Sequence, residues 1–170
     1  QLESKGHRCV VPNLSPRDAR HGIEPLAENL RQEIDNQIPH QQSFSLIGFS
    51  MGGLVARHYL QQLGGAKRCE RLITISSPHQ GTLMAWLHPS KGAQQMRPGS
   101  GFLKDLASTE SHLGEIPVIS YRTPLDLMIL PSRSSEWQRA TNLSFKVFLH
   151  PMMPNATSVI ADITKRLRED

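Results

Sequence analysis

The sequence predicts an α/β fold, a mostly parallel sheet with helices on both faces. Three observations carry this reading. Short apolar runs of strand length alternate with stretches whose apolar residues recur at helical spacing. No tight hairpin signal joins one apolar run to the next, so neighbouring strands need crossover connections. The chain has 170 residues, 38% hydrophobic and 20% charged, enough to fill one core in a single domain spanning 1–170.

The elements follow in chain order. Residues 1–6 read as the last turn of a helix closed by Gly6. Residues 8–12 read as a short strand that Pro12 ends. Ile23, Leu26, Ala27, Leu30, Ile34 and Ile38 recur at helical spacing; Pro25 sits in the first turn, where it is tolerated, and Pro39 stops the helix. Residues 44–48 are a buried strand, and 52–63 a helix ended by Gly64 and Gly65. Residues 71–76 form the next strand, closed by Pro78. Residues 117–121 form another, 134–140 a short helix, and 144–149 the last strand. Asn155 is placed to cap a final helix with Val159, Ile160, Ile163 and Leu167 on its inner face. The stretch 82–115, with helical pieces at 82–87 and 102–106, is too long for an ordinary connection and too apolar for a linker. Such excursions form lids or binding loops, and a lid- or cap-like insertion is expected there.

Composition narrows the function. The formal net charge is +4 and the sequence pI about 9.4, but the basic residues are scattered. The densest group, Lys165, Arg166 and Arg168, is closed by Glu169 and Asp170. Without a basic stripe or an aromatic platform, no nucleic-acid partner is expected. No run of about 18 apolar residues exists to span a membrane. Cys9 and Cys69 are too few for a disulfide framework and suit a reducing compartment. With no signal peptide in this chain, a cytoplasmic location is expected. Oligomeric state is not legible.

Gly48-Phe49-Ser50-Met51-Gly52 matches G-x-S-x-G between a predicted strand and a predicted helix. That context is the one the chemistry requires. A sharp strand-to-helix turn lifts the Ser50 hydroxyl off the sheet, the glycines leave room for close approach, and the free N–H groups of the helix start face a developing negative charge. A serine nucleophile needs a base, and the base an orienting acid. In such sheets the chain order is serine, acid, histidine, on loops beyond the carboxyl ends of strands. Asp126 follows the strand 117–121 and His150 follows the strand 144–149, so both order and placement fit. Asp105 and Glu110 lie in the lid-like stretch, and Asp162 lies inside the last helix. His79 also follows a strand end, but it precedes every candidate acid. His7, His21, His40, His88 and His112 fall in polar or turn regions, and His58 on the helix after the serine.

At these residues the sequence resembles a known family. Ser45 to Arg57, SLIGFSMGGLVAR, is similar to the nucleophile elbow of bacterial lipases and esterases of the α/β-hydrolase fold. Residues 75–82, ISSPHQGT, are similar to the segment after the next strand in those lipases, and 95–106, QMRPGSGFLKDL, to their cap segment. The likeness continues more loosely through Asp126 and His150, where His150 is followed by Pro151 and two methionines. The resemblance implies a serine ester hydrolase with Ser50 as nucleophile, His150 as general base, Asp126 as orienting acid and the Met51 N–H as one oxyanion donor, and it requires no cofactor or metal. The substrate expected is a lipid or other ester with an apolar acyl chain, met by Leu83, Met84, Trp86, Leu87, Met96, Phe102 and Leu103, with transient contact to a lipid surface. The same triad would serve an acyltransferase, and a hydrolase fold without turnover would bind apolar ligands; the residues leave these open. The family begins with a strand ending in His-Gly, whose loop carries a second oxyanion donor. No such strand precedes Gln1, so an N-terminally incomplete chain is expected.

Overall fold

Four parallel strands form one sheet in the order β1-β2-β3-β4. They are β1 (Phe44–Phe49), β2 (Cys69–Ile75), β3 (Val118–Arg122) and β4 (Thr141–Ser144). The computed structural model describes residues 2–16 and 18–168; Gln1, Glu169 and Asp170, used in the sequence reading, lie outside them. The helices are α1 (Ile23–Gln37), α2 (Met51–Gln62), α3 (Lys91–Gln95), α4 (Gly101–Ser108) and α5 (Thr157–Arg166).

Alternation along the strands sends successive side chains to two cores. On one face Leu72 and Val118 join Ile23, Leu26 and Leu30 of α1, Leu54 and Leu60 of α2, and Phe102 and Leu106 of α4. On the other, Ile73, Ile75, Ile119 and Tyr121 pack against Val159 and Ile163 of α5. Helices α1, α2, α4 and α5 stand where helical spacing is expected, while the piece expected at 82–87 is a 3-10 turn, Leu83–Leu87.

Four expectations are corrected. Residues 8–12 take no regular structure and, among the described residues, pair with no strand. The last strand is Thr141–Ser144, in register with Ile119 to Arg122, and the apolar run after it leaves the sheet. The Phe145 N–H still donates to the Arg122 carbonyl at 2.9 Å, and past that bond half-buried Phe145 and buried Val147 pack in the core that holds Tyr121. Residues 134–140 hold no α-helix; a 3-10 turn, Ser132–Ser135, stands there. Asn155 does not cap α5, because residues 150–155 form a 3-10 turn and Ala156 takes the cap position without a side-chain bond.

The stretch 82–115 divides in two. Phe102, Leu103, Leu106 and Leu113 belong to the core under α2. Leu83, Trp86 and Leu87, in the 3-10 turn Leu83–Leu87, are exposed. Leu106 is fully buried, so Leu106→Ala is expected to lower stability by about 2–5 kcal/mol, read from urea unfolding. A midpoint equal to the parent's would mean that α4 is a detachable flap.

Among the described residues β1 pairs with β2 alone, so its other edge carries no ladder there. Between that edge and residues 7–12 runs an apolar groove of about 590 Å3, lined by Val10, Val11, Leu14, Phe44, Leu46 and Val55 among others. Among the described residues no helix is long and apolar enough to cross a membrane.

Candidate active site

Ser50 stands between β1 and α2 with φ 53° and ψ −126°, a conformation that is costly for a residue with a side chain. Two close approaches enforce it. A Cβ on Gly48 would lie 2.6 Å from the Gly52 carbonyl oxygen, and one on Gly53 would lie 2.0 Å from Ser77 Oγ. The Ser50 N–H donates to the Ile75 carbonyl at 2.8 Å and ties the turn to β2. A serine at the start of a helix ordinarily spends its hydroxyl on the cap. Ser50 makes no such bond, and its side chain is only half-buried. Met51 is the first residue of α2, where an N–H has no acceptor within the helix.

Asp126 and His150 meet. Both are buried, and the Asp126 carboxylate accepts from His150 Nδ1 at 2.8 Å through Oδ2 and 3.1 Å through Oδ1. Oδ1 also accepts the N–H groups of Met128 and Ile129, each at 2.9 Å. Burial pushes this carboxyl up, but the His150 hydrogen bond, the Ile129 N–H, the His150 charge and the Met128 N–H together hold it below its ordinary value. Asp126 is therefore the ionised partner, which directs the Nδ1 proton toward it and leaves Nε2 as the ring nitrogen it does not engage. The His150 ring sits 4.8 Å from that of Phe49, the residue before Ser50. The Ser50 hydroxyl makes no side-chain hydrogen bond among the described residues, so no bond joins it to His150 here; the link between the two is the Phe49 ring next to the serine in sequence.

His79, the rival histidine, is fully occupied. Arg57 Nη1 donates to Nδ1 at 3.3 Å, so Nε2 carries the proton and donates to Thr74 Oγ1 at 2.9 Å. The guanidinium of Arg57 lies 3.9 Å over the Trp137 ring and bonds the Leu106 carbonyl and Glu110. Burial pulls Arg57 down to about 10 against the opposing Glu110 charge. Sequence reasoning missed this knot, because Arg57, Glu110 and Trp137 have no motif spacing in common. Burial, and then the Arg57 charge, hold His79 well below its ordinary 6.5. From about pH 6.5 down to its folded value, the unfolded chain takes a proton that the folded one refuses. Stability is thus unaffected by His79 above pH 6.5 and declines as the pH falls below it. His79→Gln is expected to remove that part of the slope in urea midpoints measured from pH 8 to pH 5. An unchanged slope would mean that His79 takes up its proton inside the fold.

The apolar residues assigned from sequence to an acyl chain separate. Phe102 and Leu103 are core, Met84 and Met96 are half-buried, and Leu83, Trp86 and Leu87 are exposed. Two further loops add exposed apolar side chains: Leu125, Leu127 and Met128 beside Asp126, and Phe148, Leu149 and Met152 beside His150. These lay outside any motif. Among the described residues no group of three or more His, Cys, Asp or Glu is placed to hold a metal ion.

Over residues 14–115 the sequence matches a family model described as palmitoyl protein thioesterase. That span holds Ser50 and Met51 and stops before Asp126 and His150. Among solved structures, the mature lipase BlEst2 of Bacillus licheniformis is similar at 17% identity and TM-score 0.63, over 85% of this chain and 74% of that one. Lipase B of Aspergillus fumigatus is similar at 18% identity and TM-score 0.67, over 79% of this chain and 39% of that one. Polyneuridine aldehyde esterase is similar at 17% identity and TM-score 0.64, over 98% and 90%. What they share with this chain is the α/β-hydrolase fold. No curated protein matches the sequence.

Proposed function

The chain belongs to the palmitoyl protein thioesterase family, and from that premise we propose that it is a serine hydrolase of apolar acyl esters, thioesters among them, working through Ser50, His150 and Asp126. One observation carries the proposal. A buried His150–Asp126 pair packs on Phe49, beside a serine in a strained turn whose hydroxyl caps nothing.

The steps follow from the atoms. Ser50 Oγ attacks the acyl carbonyl carbon while His150 Nε2 takes the hydroxyl proton. The carbonyl oxygen becomes an oxyanion and receives the Met51 N–H at the positive end of α2. The tetrahedral intermediate collapses, the bond to the leaving alcohol or thiol breaks, and His150 returns the proton to that group. Water repeats the sequence on the acyl-serine, releasing a carboxylic acid and restoring Ser50. Asp126 keeps the Nδ1 proton in place and stabilises the imidazolium that forms in each half.

Support for an apolar acyl chain comes from the exposed apolar side chains on the loops after β2, β3 and β4. Within 82–115, read as a cap-like insertion, Leu83, Trp86 and Leu87 are the residues left to meet substrate, since Phe102 and Leu106 are spent on the core. The same rim is the surface on which a lipid aggregate would be met. The test is covalent labelling with a fluorophosphonate probe, followed by a series of acyl esters and thioesters of rising chain length. Labelling of one serine and turnover that rises with chain length are expected. A folded protein that takes no label ends the proposal.

A further inference from the structure

We infer that Thr82 is a positioning residue for Asp126: its hydroxyl holds the acid's loop in the one conformation that aims the carboxylate at His150. The inference rests on the hydrolase reading above for its consequence in turnover, but its geometric content stands apart from it.

Thr82 is buried, and its hydroxyl is saturated. Oγ1 donates to the Met128 carbonyl at 2.9 Å and accepts the Leu130 N–H at 2.9 Å and the Met84 N–H at 3.3 Å. Beside it, the Leu83 N–H donates to the Leu130 carbonyl at 2.9 Å. The same short loop turns around Asp126, whose Oδ1 takes the N–H groups of Met128 and Ile129. The backbone from 128 to 130 is therefore gripped from both sides, by Asp126 from within and by Thr82 from the loop after β2. Without the Thr82 hydroxyl, the part-buried Met128 carbonyl and Leu130 N–H lose their partner, and the loop shifts to satisfy them from elsewhere. Any shift of 128 and 129 moves the two N–H groups that fix the Asp126 carboxylate.

Thr123 provides the second restraint and shows that the first is not redundant. Its hydroxyl donates to the Val147 carbonyl at 2.6 Å and accepts the Leu125 N–H at 3.2 Å. That latch fixes the chain before Asp126 and the chain before His150. It leaves 128–130 to Thr82. Thr82 also caps the turn Leu83–Leu87, so the acid and the exposed Leu83, Trp86 and Leu87 hang from one hydroxyl.

The test compares Thr82→Val, which keeps the shape and removes the hydroxyl, with Thr82→Ser, which keeps the hydroxyl. Ile34→Ala, in the core on the other face of the sheet from Phe49, serves as a control for lost stability alone. Three readouts are taken: the far-downfield proton resonance of the His150 Nδ1–H···Asp126 bond, kcat and KM on a short ester, and the acidic limb of the kcat/KM pH profile. In Thr82→Val the resonance is expected to shift or vanish, kcat to fall about 10–100-fold with KM little changed, and the acidic limb to move to lower pH, because a displaced carboxylate supports the imidazolium less well. Thr82→Ser is expected to restore all three, and Ile34→Ala to move none of them. A folded Thr82→Val protein with the parent resonance, kcat and pH limb overturns the inference. Should Thr82→Val fail to fold, Thr82→Cys, with a weaker hydrogen-bonding group, is read by the same criteria. If the parent protein hydrolyses no ester, the hydrolase reading fails while the resonance still decides the role of Thr82.

Discussion

Ser50→Ala is expected to abolish fluorophosphonate labelling and to lower turnover by a factor on the order of 10⁶, with almost no change in melting temperature. The two halves of this expectation have separate causes. Labelling and acyl transfer require an oxygen at this position, and alanine has none. Stability is spared because the hydroxyl makes no cap bond and no other side-chain bond among the described residues, so its removal orphans no buried partner. Alanine retains the Cβ, so the strain of a side chain at φ 53° is the same in both proteins. Labelling that persists in Ser50→Ala would move the nucleophile elsewhere. A large fall in melting temperature would show that the hydroxyl has a structural role.

Asp126→Asn is expected to cost about 10⁴ in kcat while leaving the fold and KM nearly intact. The local hydrogen bonds say how. The Met128 and Ile129 N–H groups both point at Oδ1, so an asparagine keeps its carbonyl oxygen there. Its NH2 then occupies the place of Oδ2, facing His150 Nδ1. Two donors cannot share that contact, so His150 gives up its Nδ1 proton and carries it on Nε2. A protonated neutral Nε2 cannot accept the serine proton. The measurement is kcat at a pH above neutrality beside thermal unfolding of both proteins. Parent-like kcat in Asp126→Asn would remove Asp126 from the mechanism.

Much of this site was legible in the sequence because its parts obey local rules. A strand, a G-x-S-x-G turn and a helix are contiguous, and the order serine, acid, histidine is a property of the chain. Setting His79 aside rested on that order alone. The structure adds the physical reason, since both of its ring nitrogens are spent on Arg57 and Thr74. Residues 8–12 and 144–149 read as strands because β-branched and aromatic residues cluster there. Pairing is a tertiary fact: among the described residues 8–12 find no ladder partner, and of 144–149 only Ser144 lies in a strand. Thr82 was visible only as the end of a motif. That its hydroxyl reaches Met128 and Leu130 depends on how two distant loops cross, and no spacing encodes it. The division of 82–115 into core and rim was hidden for the same reason: apolar periodicity does not tell which neighbour covers a face.

The open edge of β1 has a consequence for how the molecule breathes. β2 is protected by ladders on both sides and is buried along nearly its whole length, whereas β1 has one ladder and is half-exposed over most of its length. Opening free energies follow such differences, from near zero at exposed elements to the global value in the core. The serine and the ring that packs on His150 both ride on the end of the less protected strand. The proposed catalytic geometry therefore belongs to a lower-stability cooperative unit than the sheet that carries it. On warming, amide exchange should quicken in β1 before it does in β2 and β3, and the activity should fade while most of the fold still stands.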